Sequence, residues 1–194
     1  MKYVWKLLTV CAGLLLAGCA TVPSPKEAIV LSPEETVAMH AEAAREAKGV
    51  VAVGQGSSLT LPMAQDKTLR RVRQDAADAL DARVAQLQVN FLASAGIADV
   101  EPVVAWFEGV STYLRGLLPG VQPALETTQI DDGLVTHRVL LVVDPGMIVQ
   151  ALEVRGAANR QLYELIRTSQ AYRTLLAEAE TFGQYRVAQD ELRF

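Results

Sequence analysis

Apolar residues recur along this chain at two different periods, and the change between them sets out its elements. Leu69, Val72, Ala76, Leu80, Val84, Leu87 and Phe91 fall three and four residues apart, the period of one helix face. Arg70, Arg71, Arg73, Asp75, Asp78, Asp81 and Arg83 fill much of the opposite side, so the spacing predicts a long helix from about Asp66 to Gly96. Val103, Val104, Phe107, Val110, Leu114 and Leu117 predict a second helix over Glu101–Leu118, opened by Pro102 and closed by Pro119-Gly120. A shorter helix begins at Ser32-Pro33-Glu34-Glu35. Ser32 suits the N-cap, Pro33 the first helical position, and Glu35 the return half of a capping box. It runs to about Lys48 and stops at Gly49, and its apolar side, mostly alanine with Val37 and Met39, predicts peripheral docking.

Strand patterning follows a different rule. Val50–Val53 is short and β-branched, and Gly54-Gln55-Gly56 after it reads as a turn. Ser57–Ala64 reads as a loop broken by Pro62. Val121–Ile130 and Leu134–Val143 flank Asp131-Asp132-Gly133, a hairpin signal because Asp and Gly tolerate positive φ. The run Val139–Val143 is apolar throughout and is expected at the centre of the sheet. Asp144-Pro145 then opens a helix expected to continue past Gly156 to Phe182, with Gly183 as its stop and Gln184–Phe194 a polar tail.

Within that last helix Ala158, Leu162, Leu165, Ser169, Tyr172, Leu176 and Ala179 alternate four and three apart. This heptad seam, centred on Leu162, Leu165, Tyr172 and Leu176, either packs against its own domain or mates with a second copy. The predicted fold class is α+β: a short antiparallel sheet of about three strands covered by helices, with a long C-terminal helix. The expected divisions are a leader over 1–18, a tether over 19–31, an α+β domain with its preceding helix over 32–155, and a C-terminal helix and tail over 156–194.

The first residues carry a targeting pattern. Lys2 and Lys6 precede an apolar run from Leu7 to Leu16, shorter than the roughly 20 residues a membrane span needs. Leu16-Ala17-Gly18-Cys19 closes the run and looks like a lipobox, the recognition motif of bacterial lipoproteins. That resemblance implies cleavage before Cys19 and acylation of its sulfur and its new amino group. Cys11 would leave with the leader, so no second thiol would remain for a disulfide or a metal cluster. Two positive charges would leave too, taking the net charge from −4 to −6, a balance that offers no general attraction for nucleic acid. Ala20–Leu31, with Pro23 and Pro25, reads as a tether able to reach roughly 40 Å when extended. Under the sorting rule of enteric-type lipoproteins, Ala20 after the cysteine implies an outer-membrane destination, with the body facing the periplasm.

Candidate chemistry is thin. His40 and His137 are the only histidines, and neither lies in a nucleophile motif or a zinc-ligand spacing, so each reads as a solvated or packing residue. Gly54-x-Gly56 fails as a dinucleotide fingerprint because Leu59 occupies the third glycine position. Asp131 and Asp132 alone lack the oxygens calcium requires. Arg70, Arg71 and Arg73 read as a helix surface, with Arg71 and Asp75 spaced to pair, and Trp106 and Phe107 as core. An enzyme would need a pocket uniting His137 with Asp131 or Glu126. No catalytic set, cofactor or metal is therefore expected.

The order of these elements carries a resemblance. A Val51-x-Val53-Gly54-x-Gly56 strand end, a long Ala-, Arg- and Asp-rich helix over Asp66–Ala95, and a hairpin over Thr127–Asp144 together resemble the twenty-kilodalton lipoprotein (Lpp-twenty-like) family of bacterial envelope proteins. The likeness covers roughly Val50–Leu152. It implies a small domain with helices on one face of an antiparallel sheet, an envelope-structural or assembly role, and no established catalytic residues. The helix at Pro33–Lys48 and the long C-terminal helix depart from the simplest members. The expected function is that of a lipid-anchored, non-catalytic outer-membrane protein that works through protein contacts or self-association. The alternative is a periplasmic ligand- or partner-binding module with a groove between sheet and helices.

Overall fold

The chain is arranged around β3 (Leu134–Val143), which pairs antiparallel with β1 (Val50–Ser58) on one side and β2 (Leu125–Asp131) on the other. The computed structural model describes residues 31–191. Leu16, Ala17, Gly18 and Cys19 lie outside the described residues. Val139–Val143 is the middle of the sheet, as its unbroken apolar run requires, because a central strand is covered on both faces. The hairpin turns at Asp132 and Gly133, with φ of 46° and 78°, the two left-handed positions that the Asp-Gly pair suits.

One face of the sheet presents Val135, His137, Val139, Leu141 and Val143 to α2 (Leu61–Ala95). α3 (Glu101–Leu117), continued by a 3₁₀ turn at Leu118–Gly120, packs on α2. Phe91, Trp106 and Phe107 join there, with the Trp106 and Phe107 rings edge to face at 5.2 Å. α4 (Gly146–Gly156), α5 (Arg160–Thr168) and α6 (Gln170–Glu191) extend the same core through Ile148, Leu152, Leu162, Ile166, Tyr172 and Leu175. The segment after Gly156 thus shares the core of the preceding domain instead of standing apart from it.

The other face is covered in part by α1 (Pro33–Glu46), whose Val37 and Ala41 lie on Leu140 beside Val51, Leu125 and Val142. Helices therefore flank the sheet on both sides, where the family resemblance implied one. The capping box forms as its sequence dictates: the Ser32 hydroxyl accepts from the Glu35 N–H at 3.2 Å, and Glu35 accepts from the Ser32 N–H at 2.8 Å.

Three elements differ from expectation. Gly54 and Gly56 do not turn the chain; they lie within β1, which runs on to Ser58. They face α2 so closely that an added Cβ would meet Val72 at 2.8 Å and the Thr68 hydroxyl at 2.6 Å, so the glycines serve helix–strand approach. Pro62 does not break a loop but sits in the first turn of α2, where a missing N–H costs no helical hydrogen bond.

The expected helix from Pro145 to Phe182 is three helices. Asn159 caps α5 by accepting from the Leu162 N–H at 3.0 Å, and the Ser169 hydroxyl accepts from the Tyr172 N–H at 3.2 Å at the start of α6. These local bonds compete with a continuous helix. The heptad spacing consequently does not run along one helical face: Leu162 and Tyr172 are buried, while Leu165 and Leu176 are exposed. α6 also passes through Gly183 to Glu191, taking in residues expected as a tail. Among the described residues no helix is long and apolar enough to cross a membrane.

Candidate functional site: a groove between the sheet, α1 and α6

The part of the second sheet face that α1 leaves uncovered forms the floor of a groove of about 740 Å³. Leu125 and Val142, both half-buried, supply the open floor from β2 and β3, with Leu140, which α1 already covers, at its margin. His40 stands on the α1 side, half-buried. The opposite wall is α6, through Phe182, Tyr185, Arg186, Gln189 and Asp190, which recur at helical spacing. Gln122 and Ala124 close one end, with Asp144 and Met147 beside them.

Several contacts fix the wall. Phe182 is buried, and its ring fills the space a side chain at Gly49 would need, an added Cβ there lying 2.6 Å from it. Its ring centroid is 5.7 Å from that of Tyr185. Arg186 pairs with Asp144 at 3.1 Å, while the other Asp144 oxygen accepts from the Gly146 N–H at 2.7 Å and so shapes the start of α4. Among the described residues Asp190 has no cationic partner. The groove is thus apolar along its floor and polar at its rim, the usual composition of a binding cleft of this size.

Other residues singled out by sequence behave differently. His137 is buried under α2, its Nδ1 at 3.1 Å from the Thr128 hydroxyl and its Nε2 at 3.5 Å from a Glu126 oxygen. The histidine and Glu126 are therefore neighbours, but 3.5 Å is long for a hydrogen bond, and none of the described cavities is lined by this ring. Asp131 lies at the hairpin tip and does not join it. Arg70 pairs with Asp66, and Arg71 lies 4.0 Å from Asp75, both within one helical turn. Among the described residues no three His, Cys, Asp or Glu side chains cluster as metal ligands.

A groove between sheet and helices is one of the two expected arrangements, but its lining is not legible in the sequence, because the walls come from segments more than a hundred residues apart. No protein-family model matches the chain, and neither the search of curated proteins nor that of solved structures returned a match.

Proposed function

We propose that this chain is a lipid-anchored, non-catalytic protein of the bacterial outer membrane that faces the periplasm. In this reading its body acts in envelope assembly by receiving a partner in the groove between the sheet, α1 and α6. The single observation that carries the binding part is the groove itself, about 740 Å³ over half-buried Leu125 and Val142, with α6 as one wall and His40 of α1 on the other side. Its floor suits apolar side chains, and Asp190 at its rim suits a basic one, so the occupant is an amphipathic, basic segment of a partner protein. The anchor part is supported by Leu16-Ala17-Gly18-Cys19, and the non-catalytic part by the enclosed setting of His137. The resemblance to the twenty-kilodalton lipoprotein family belongs to this reading and agrees with its envelope setting. Self-association through one continuous heptad seam is no longer favoured, because Leu162 and Tyr172 are committed to the core.

Two measurements test the reading. Mass spectrometry of the mature N-terminus should find an acylated Cys19, and Cys19→Ser should release the protein from the membrane fraction; an unmodified cysteine would remove the anchor. For the groove, NMR titration of the full Cys19→Ser chain with basic amphipathic helical peptides should shift Leu125, Val142 and Tyr185, and Val142→Glu should abolish the shifts. Perturbation elsewhere, or none across such a panel, would refute the groove as the binding site.

A further inference from the structure

We infer that the hairpin end of the body is a lipid-contacting surface, and that the protein rests on its membrane by this end. The inference builds on the anchoring just proposed. Three stretches of chain bring apolar side chains to that end without covering them. Leu59 follows the last residue of β1 and is 80% exposed, and Ile130 near the tip of β2 is 72% exposed. Leu61 and Met63 in the first turn of α2, and Leu134 at the start of β3, are exposed too. Strand register puts the strand residues at one end of the sheet: Ser58 and Ile130 both pair with Val135, and Leu134, the next residue toward the turn, points to the opposite face from Ile130, so the apolar side chains rim that end on both faces. Single exposed apolar residues are ordinary, but several gathered at one end mark a contact surface.

The occupant is argued from where the chain leaves the body. α1 begins at this side of the sheet: Glu34 lies 3.9 Å from Arg138, whereas Gly49, beyond the other end of α1, packs near Val142. Arg138 is three strand positions from Val135, about 10 Å at roughly 3.3 Å per residue. In the anchored protein the 12 residues from Cys19 to Val30 therefore join the body, at Leu31, within easy reach of the apolar end. A surface beside the attachment of a lipid tether is held near lipid at high effective concentration, so weak apolar contacts suffice. Charge refines the choice. Asp131 and Asp132 occupy the hairpin turn and Asp66 lies in the first turns of α2, with Lys67 and Arg70 the nearby cations. Two carboxylates at the tip favour a zwitterionic lipid surface over an anionic one.

The test uses the full, acylated chain in phosphatidylethanolamine–phosphatidylcholine vesicles. An environment-sensitive fluorophore is placed on Leu59→Cys, on Ile130→Cys, or on Val89→Cys. Val89 is exposed too, but lies about 40 Å further along α2 than the apolar end, at roughly 1.5 Å per residue. The expected result is a blue shift and quenching by brominated lipid at 59 and 130 and neither at 89, with both effects reduced when phosphatidylglycerol replaces the zwitterionic lipid. Introducing Met63→Asp with Leu134→Asp should return the probe at 59 to its aqueous spectrum while the acyl anchor still floats the protein. An acylated, floating chain whose probes at 59 and 130 behave like that at 89 would overturn the inference and leave the anchor standing. An unacylated chain that stays off the vesicles would overturn both. Blue-shifted probes without vesicles, together with a doubled mass in solution, would overturn it in favour of contact between two copies.

Discussion

Gly54 and Val72 touch across the β1–α2 interface so closely that a methyl group on the glycine would sit 2.8 Å from the valine Cβ. Neither partner can yield easily: Thr68 and Val72 backbone atoms lie within 3.3 Å of the same position. Gly54→Ala should therefore destabilise the fold by about 1–3 kcal/mol through overpacking, read by urea denaturation. Gly116→Ala in α3 is the control. An added methyl there meets open space, and helix propensity predicts a gain of about 0.5–1 kcal/mol. An equal response at the two sites would show that β1 and α2 are not packed as described.

This contact explains why β1 extends beyond the Val50–Val53 run that its sequence marks. Gly-Gln-Gly has the local chemistry of a turn, and the reason for its glycines lies on a helix that begins several residues later. Ser32–Glu35 was legible for the opposite reason, since a capping box is complete within four residues. The central place of Val139–Val143 was also legible, because burial on both faces leaves its mark in every position of the run. The lining of the groove leaves no comparable mark: its floor resembles any half-buried strand, and the polar sequence of its wall beyond Gly183 resembles a tail.

The C-terminal helices divide the heptad residues into two kinds. Leu162→Ala should cost about 2–5 kcal/mol, as buried leucine truncations do. Leu165→Asp and Leu176→Asp should each change stability by no more than about 0.5 kcal/mol, since both side chains are exposed. Thermal denaturation of the three variants checks the division. Asn159 and Ser169 were the signals for it, being helix-capping residues within an apparently regular repeat.

Tyr172 should make the fold sensitive to alkali. Burial pushes its hydroxyl well above the ordinary tyrosine range, and the neighbouring Tyr163 adds to the shift. A raised folded value means that this contribution is complete below about pH 10, where the unfolded tyrosine titrates, and declines as pH rises above it. Tyr172→Phe should flatten the stability profile above pH 10; a slope identical to that of the parent would exclude Tyr172 as its source.

Glu35 acts at the other end of the pH scale. The Ser32 N–H and then its hydroxyl hold the Glu35 carboxyl below its ordinary value of 4.5. Its depressed folded value gives α1 support that is present above pH 4.5 and is lost as pH falls through the lower folded value. Amide exchange at Ala41 and Ala44 should accelerate through this window, and Glu35→Gln should remove the pH dependence. Acceleration that persists in the variant would assign the effect to another carboxylate.

β1 and β3 are neighbours in space, yet Ser57 and Thr136, hydroxyl to hydroxyl at 2.9 Å, are 79 residues apart in the chain. During synthesis β1 emerges long before β3, the strand it pairs with among the described residues, and its Val-Val-Ala-Val run must wait through α2 and α3. The β2–β3 hairpin needs only a two-residue turn and can form at once, so closure of the sheet is governed by the late capture of β1. Until then the chain carries an unpaired apolar strand, which makes the order of folding, more than the final packing, its point of exposure to aggregation.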